Sequence, residues 1–192
     1  MTDSFMRSVN LFVEKSQANM ETVVSKTGFK ILAQLVEMSP VGNPELWEVN
    51  QTAVNYNQAV FEHNEALRKD PNNLTPKRGL LKKRVRVNDS MDIKAPPGYT
   101  GGRFRGNWQV TFDSPADGET GRVDKSGNMT KAVGNYVLEQ FKVGMNAIYF
   151  TNNVPYAYRL EMGHSRQAPN GMIAITAENV GKFFRDAIAE MK

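Results

Sequence analysis

The strongest constraint on this chain lies at its start. Apolar residues recur in steps of three and four at Val9, Phe12, Val13, Met20, Val23, Val24, Ile31 and Leu35, the period of an amphipathic helix. The pattern predicts one long helix over residues 4–38, with Asp3 or Ser4 capping its first amides. Pro40 restricts the residue before it and forces a stop at Ser39. Gly28 sits inside the pattern and costs about 1 kcal/mol relative to Ala, so a kink or break is expected near residues 26–28.

The remaining pattern alternates helical and extended segments. A turn-rich stretch, "SPVGNPELWE", follows the first helix. A second helix is predicted over residues 51–69, its narrow face marked by Val54, Asn57, Val60, Phe61, Asn64 and Leu67. Such a face suits a surface helix or one completed by a partner subunit. Arg84-Val85-Arg86-Val87 alternates at period two, a short strand signal within residues 82–88. Trp108, Val110 and Phe112 alternate with Gln109 and Thr111, which predicts a strand over 107–112; a second is predicted over 147–151. Helices are expected at 130–143 (Val133, Tyr136, Val137 and Phe141 inward), at 155–162 between Pro155 and Gly163, and at 176–191 with Thr176 as cap. The last carries Val180, Phe183, Phe184, Ala187, Ile188 and Met191 on its apolar face. The sum is an α+β fold: a small antiparallel sheet packed by a long N-terminal helix and a C-terminal amphipathic helix.

At 192 residues, 40% hydrophobic and 23% charged, the chain has a soluble globular profile and is long enough to bury a core without disulfides or metal. It contains no cysteine, which excludes disulfides, thiolate metal sites and cysteine nucleophiles. The start, "MTDSFMRSVNLFVEKSQ", lacks the form of a signal peptide. No window approaches the roughly 18 apolar residues of a membrane span. No membrane partner is expected, and synthesis in a cytoplasm is.

Charge is uneven. Lys77, Arg78, Lys82, Lys83, Arg84 and Arg86 place six positive charges in ten residues, against a net charge of +4 for the whole chain. Such a run can contact phosphate, or it can be a solvated hairpin face or a contact with an acidic subunit. No helix-turn-helix, zinc-finger or RNA-recognition pattern accompanies it.

The stretch "YFTNNVPYAYRLEMGHSRQAP" (residues 149–169) invites a catalytic or metal reading through Glu161 and His164, three apart and so on one helical face. The constellation is poor. His63 is the only other histidine and lies in a different helix. Gly163 is expected to end the helix and move His164 off the Glu161 face. Ser165 has no nucleophile elbow around it. "GYTGGRFRG" lacks phosphate-loop spacing, and a strand follows it rather than preceding it. No cofactor, metal or catalytic residue is expected.

Three stretches in order, "SPVGNPELW" (39–47), "PPGYTGGRFRGNWQV" (96–110) and "IYFTNNVPYAYRLEMGHSRQAPNGMI" (148–173), resemble the neck, or tail-completion, proteins of tailed bacteriophages. These typically carry a Ser/Thr-Pro-Val turn leading to Gly-Arg-x-Arg-x-x-Trp, then a strand ending in Thr-Asn-x-x-Pro-Tyr-Ala and Leu-Glu-x-Gly. The resemblance implies one neck domain over 1–192. Residues 48–94, which hold the second helix and the basic run, depart from it, since typical members run from "NPELW" almost directly into "PPGYTGG". They read as an insertion arm whose function the family does not supply. The resemblance also implies a non-enzymatic virion protein of the head–tail junction, a homo-oligomeric ring (a hexamer) around the DNA channel. Its partners would be a head-side connector or portal-associated protein, a tail terminator or tail-tube protein, and DNA passing without sequence recognition. A tail terminator ring and a non-specific DNA-binding protein using residues 77–86 are the alternatives, with a small metal-dependent hydrolase as the remaining rival. On this reading "YFTNN" is a strand and exit turn in which Asn152 and Asn153 tolerate left-handed dihedrals and bond local backbone. Tyr156, Tyr158, Arg159, Glu161, His164 and Arg166 are the candidate interface residues, beside the helix at 51–69.

Overall fold

The computed structural model describes residues 2–191, with side chains from residue 6. Its elements run α1 (Thr2–Met38), α2 (Gln51–Arg68), α3 (Arg103–Gly106), β1 (Gln109–Phe112), α4 (Asn128–Leu138), β2 (Ile148–Thr151), α5 (Ala157–Glu161) and α6 (Ile173–Ala189). The fold is α+β. Residues Asn43–Tyr99 form a separate compact unit, and the segments before and after it form the larger one.

In the larger unit α1 is continuous, and no break occurs near residue 28. The caps expected at Asp3 or Ser4 rest on side chains outside the described residues. Gly28 packs directly against Leu138, which would have to shift to admit a larger residue. A Cβ there would lie 2.6 Å from Leu138 Cδ2, and the Ser25 hydroxyl beside it donates to the Leu138 carbonyl at 2.7 Å. Reciprocally, a Cβ on Gly134 of α4 would lie 2.2 Å from Leu32 Cδ2. Small residues on both helices let the two axes approach closely, and that gain in packing outweighs the helix propensity lost at each glycine.

β1 and β2 pair antiparallel with Val110 opposite Phe150 and Phe112 opposite Ile148. The core lies where this strand pair meets α1, α3 and α4. Leu32, Leu35, Val36, Phe104, Trp108, Val110, Leu138, Val154, Ala168 and Met172 are its buried members. Burial of each large apolar side chain contributes roughly 1.5–3 kcal/mol.

Two helical faces differ from expectation. In α4 the buried residues are Thr130, Gly134 and Leu138, while Val133 and Tyr136 are exposed. Close approach to α1 selects the small residues, which a hydropathy pattern ranks low. The helix also ends at Leu138, so Phe141 lies beyond it and meets Phe112 ring to ring at 6.0 Å. In α6 Ala187 is fully buried and Thr176 nearly so, whereas Val180, Phe184 and Ile188 are exposed. Thr176 is not the cap: α6 begins at Ile173, and the Thr176 hydroxyl donates back to the Met172 carbonyl at 2.7 Å.

In the Asn43–Tyr99 unit, Asn50, Asn57 and Asn64 stand seven residues apart along one face of α2 and its start. Each side chain holds one residue of an extended return segment by two bonds, as a peptide group would. Asn50 Nδ2 donates to the Lys94 carbonyl while its Oδ1 accepts from the Lys94 amide, at 2.8 and 2.9 Å. Asn57 does the same to Met91 at 2.9 and 2.8 Å, and Asn64 to Val87 at 2.8 and 3.0 Å. Seven helical residues rise about 10.5 Å, which three to four extended residues also span at about 3.3 Å each, so the spacings match. Trp47 and Tyr99 meet edge to face, centroids 5.1 Å apart, near the two ends of the unit.

The expected strand around Arg84–Val87 does not form. The amides of Val85 and Arg86 both donate to the Lys82 carbonyl, which makes a tight turn. Pairing nearby is limited to one bridge, Leu74 with Leu81, so the alternating residues have no neighbouring strand to join.

Candidate functional site

Residues 39–42, 100–110 and 148–173 of the stretches that carry the resemblance lie in the larger unit and bond to one another there, while 43–47 and 96–99 belong to the Asn43–Tyr99 unit. Ser39, at the end of α1, is buried; its hydroxyl donates to the Leu35 carbonyl at 2.6 Å and accepts from the Trp108 indole Nε1 at 2.7 Å. Arg105 lays its guanidinium over the same helix end. Nε and Nη2 donate to the Ser39 carbonyl at 3.2 and 2.7 Å, Nη2 reaches the Glu37 carbonyl at 3.3 Å, and Nη1 the Lys125 carbonyl at 2.8 Å. A cation on the last carbonyls of a helix satisfies unpaired acceptors and complements the dipole. Gly101 is required because a Cβ there would sit 2.0 Å from the Gly42 carbonyl oxygen. Gly102, at φ 108°, takes a turn that other residues rarely adopt.

The third stretch closes the junction. Asn152 Nδ2 donates to the Phe104 carbonyl at 2.8 Å, and Asn153 Nδ2 to the carbonyls of Ala116 and Gly118. Neither asparagine is left-handed; Asp113 is the one non-glycine residue with positive φ among the described residues. Their side chains bond distant rather than local backbone, tying the β2 exit to α3 and to the loop after β1. Gln167 grips Val41 from both sides, Oε1 accepting from its amide at 3.1 Å and Nε2 donating to its carbonyl at 2.9 Å.

Glu161 has a structural occupation. Its carboxylate accepts from the amides of Met172 at 2.8 Å, Ile173 at 3.0 Å and Ala174 at 3.3 Å, which caps the first turn of α6 with a negative charge. Asp124 does the equivalent for α4, accepting from the amides of Gly127 and Thr130 and the hydroxyls of Ser126 and Thr130. Burial would raise the Asp124 pKa, but these four bonds outweigh it and hold the group below the ordinary aspartate range.

The other candidate interface residues are distributed as follows. Tyr158 is 74% exposed, and Arg159, His164 and Arg166 are exposed on the turns around it. Tyr156 lies at the surface with its ring 6.4 Å from Phe104. No hydrogen bond or ion pair joins Glu161 to His164 among the described residues, and no cluster of three or more His, Asp or Glu residues there could hold a metal ion. No helix of the described residues is long and apolar enough to cross a membrane. A cleft of about 270 Å³ lies between Phe104, Trp108, Phe150 and Met172. Of its polar lining, Thr151 Oγ1 and Asn152 Oδ1 are shielded from water without a bonding partner.

Two apolar surfaces went unselected in the sequence. Residues 6–20 of α1 are exposed on every face, including Met6, Leu11, Phe12 (71%) and Met20. On α6, Val180, Phe184 and Ile188 form an exposed stripe at i, i+4, i+8. The hydropathy period that predicts each helix signals apolar side chains; it does not say whether the same chain covers them.

In the Asn43–Tyr99 unit, Lys77 and Arg78 occupy the tip of a turn closed by the Thr75 amide donating to the Leu80 carbonyl at 2.8 Å. Lys83, Arg84 and Arg86 lie on the next turn. All five are exposed, and Lys82 is half-buried with its ammonium donating to the Asn72 carbonyl at 2.7 Å.

Comparison of the chain with protein-family models, with curated proteins and with solved structures found no match in any of the three.

Proposed function

We propose that this chain is a non-enzymatic structural protein of a phage head–tail junction, a closed ring of copies around the DNA channel that joins the head connector to the tail. The observation that supports the reading is that parts of the three resembling stretches in the larger unit meet around the end of α1: Trp108 and Arg105 bond Ser39, and Gln167 bonds Val41 just beyond it. The residues behind the resemblance thus serve a common architecture, and Glu161, the acid of the Glu161–His164 pair, has both carboxylate oxygens occupied by backbone amides. The exposed apolar half of α1 and the α6 stripe support assembly, because contiguous uncovered apolar surface marks association sites.

Ring closure requires two different patches that meet in a head-to-tail contact. The apolar residues of α1 and α6, with Tyr158, Arg159, His164 and Arg166 as aromatic and cationic anchors, are the surfaces offered. A head-side connector and a tail terminator or tube protein are the neighbours such a ring would meet, in the neck of the virion.

Complementation tests this reading. A phage with a nonsense mutation in this gene regains plaque formation when the wild-type chain is supplied. It fails to do so with Phe12→Asp combined with Phe184→Asp, although that variant folds with unchanged circular dichroism. Full rescue by the double variant would remove these surfaces from the assembly.

A further inference from the structure

We propose that the two basic turns of the Asn43–Tyr99 unit bind the sugar–phosphate backbone of duplex DNA without sequence selection. The inference goes beyond the head–tail reading, since a protein of any other role could bind DNA this way.

The argument begins with what the cations lack. Residues 74–88 contain no Asp or Glu. Among the described residues, none of Lys77, Arg78, Lys82, Lys83, Arg84 and Arg86 enters an ion pair, while Lys26, Lys30, Arg68, Arg103, Lys131, Lys142 and Lys182 each do. Three carboxylates that flank the run in sequence have other partners. Glu65 pairs with Arg68, Asp70 accepts from the Asn72 amide, and Asp89 accepts from the Tyr56 hydroxyl and the Ser90 amide. Five exposed positive groups therefore form no ion pair with a carboxylate of the unit.

The backbone beneath them is ordered by local bonds. Thr75 to Leu80, Gly79 to Thr75, and Lys82 to Asn73 close the first turn; Val85 and Arg86 to Lys82 close the second. Lys82 contributes to this frame through its bond to Asn72, which leaves Lys77, Arg78, Lys83, Arg84 and Arg86 as the contacting groups.

The surroundings favour a phosphate backbone over an acidic protein. Leu80 is the one exposed apolar side chain of residues 74–88, and no aromatic residue lies among the cations. Protein interfaces centre on buried aromatic or apolar anchors and are depleted in lysine, and single-stranded DNA is held on aromatic platforms. Duplex backbone needs neither; unpaired, solvated Lys and Arg suffice.

The test is fluorescence anisotropy of a labelled 30-base-pair duplex with the full chain from low to moderate salt. Three to five phosphate contacts predict a slope of log K against log salt of about −3 to −4.5. Replacing Lys77, Arg78, Lys83, Arg84 and Arg86 together by Gln should weaken binding at low salt by at least about tenfold and flatten the slope. Replacing Arg7, Lys15, Lys125 and Arg185 by Gln is the control and should change it little. Equal loss in both variants would overturn the proposal in favour of diffuse net charge, and no binding at low salt would overturn it outright. Displacement of the duplex by poly-glutamate at matched charge would overturn it in favour of an acidic protein partner. Circular dichroism of both variants checks that the fold is kept. None of these outcomes bears on particle assembly, so failure here is separable from failure of the head–tail reading.

Discussion

Glu161→Ala offers a quantitative test of the site's architecture. The carboxylate accepts three amides at the start of α6, at 2.8, 3.0 and 3.3 Å. Loss of a cap costs about 1 kcal/mol. Loss of a negative charge at a helix N-terminus costs roughly 0.3–1 kcal/mol, and stranding the amide of Met172, itself a buried residue, adds about 1 kcal/mol. The sum is about 2–3 kcal/mol for Ala. Gln keeps one acceptor oxygen and the side-chain volume, so Glu161→Gln should cost about 1 kcal/mol. Urea denaturation followed by Trp108 fluorescence, in a Trp47→Phe background, reads this directly, because Trp108 is buried in the core that α6 helps to close. A loss below about 0.5 kcal/mol for Ala, the scale of an ordinary surface change, would refute the capping role and reopen Glu161 as a chemical group.

Three further outcomes follow from the hydrogen bonding. Ser39→Ala removes the acceptor of the Trp108 indole, leaves that N–H buried and unpaired, and should cost about 1–3 kcal/mol with a shift in tryptophan emission. Asp124 has a folded pKa held below its ordinary value, so its stabilisation is fully present above the unfolded pKa of about 3.9 and is lost as pH falls through the folded value. Asp124→Asn should lower stability at pH 7 and flatten the acid limb of a pH–stability curve. Asn57→Ala and Asn64→Ala together should speed amide hydrogen exchange at Met91 and Val87, whose N–H groups they hold, while leaving exchange in the α1–α4 core unchanged.

How much of this was legible in the sequence depended on the kind of information a feature carries. Element type came through where a period repeated over many residues, as in α1, α2 and the β1–β2 pair, because the period is a local property of the backbone. Burial did not, because it depends on what lies opposite. Val133 and Val180 read as core, yet Gly134 and Ala187 occupy those positions, since two helix axes that approach closely exclude larger side chains. Gly28 read as a weak point for the same reason: its role appears only when Leu138 is placed against it. The cap supplied by Glu161 spans a loop from residue 161 to residues 172–174, outside any local window, although the missing third ligand already told against a metal at Glu161 and His164. The asparagine clamp did leave a signal in the heptad spacing of Asn50, Asn57 and Asn64. Asn57 and Asn64 stood out as polar residues on an apolar face, and their pairing with an extended segment was the missing step.

Electron microscopy of a lysate from the encoding phage, with a nonsense mutation in this gene, tests the head–tail account most directly. The account predicts DNA-filled heads and finished tails of normal length lying unattached. Tails of irregular, excessive length would move the protein to the terminator position, and intact infectious particles would contradict the account altogether.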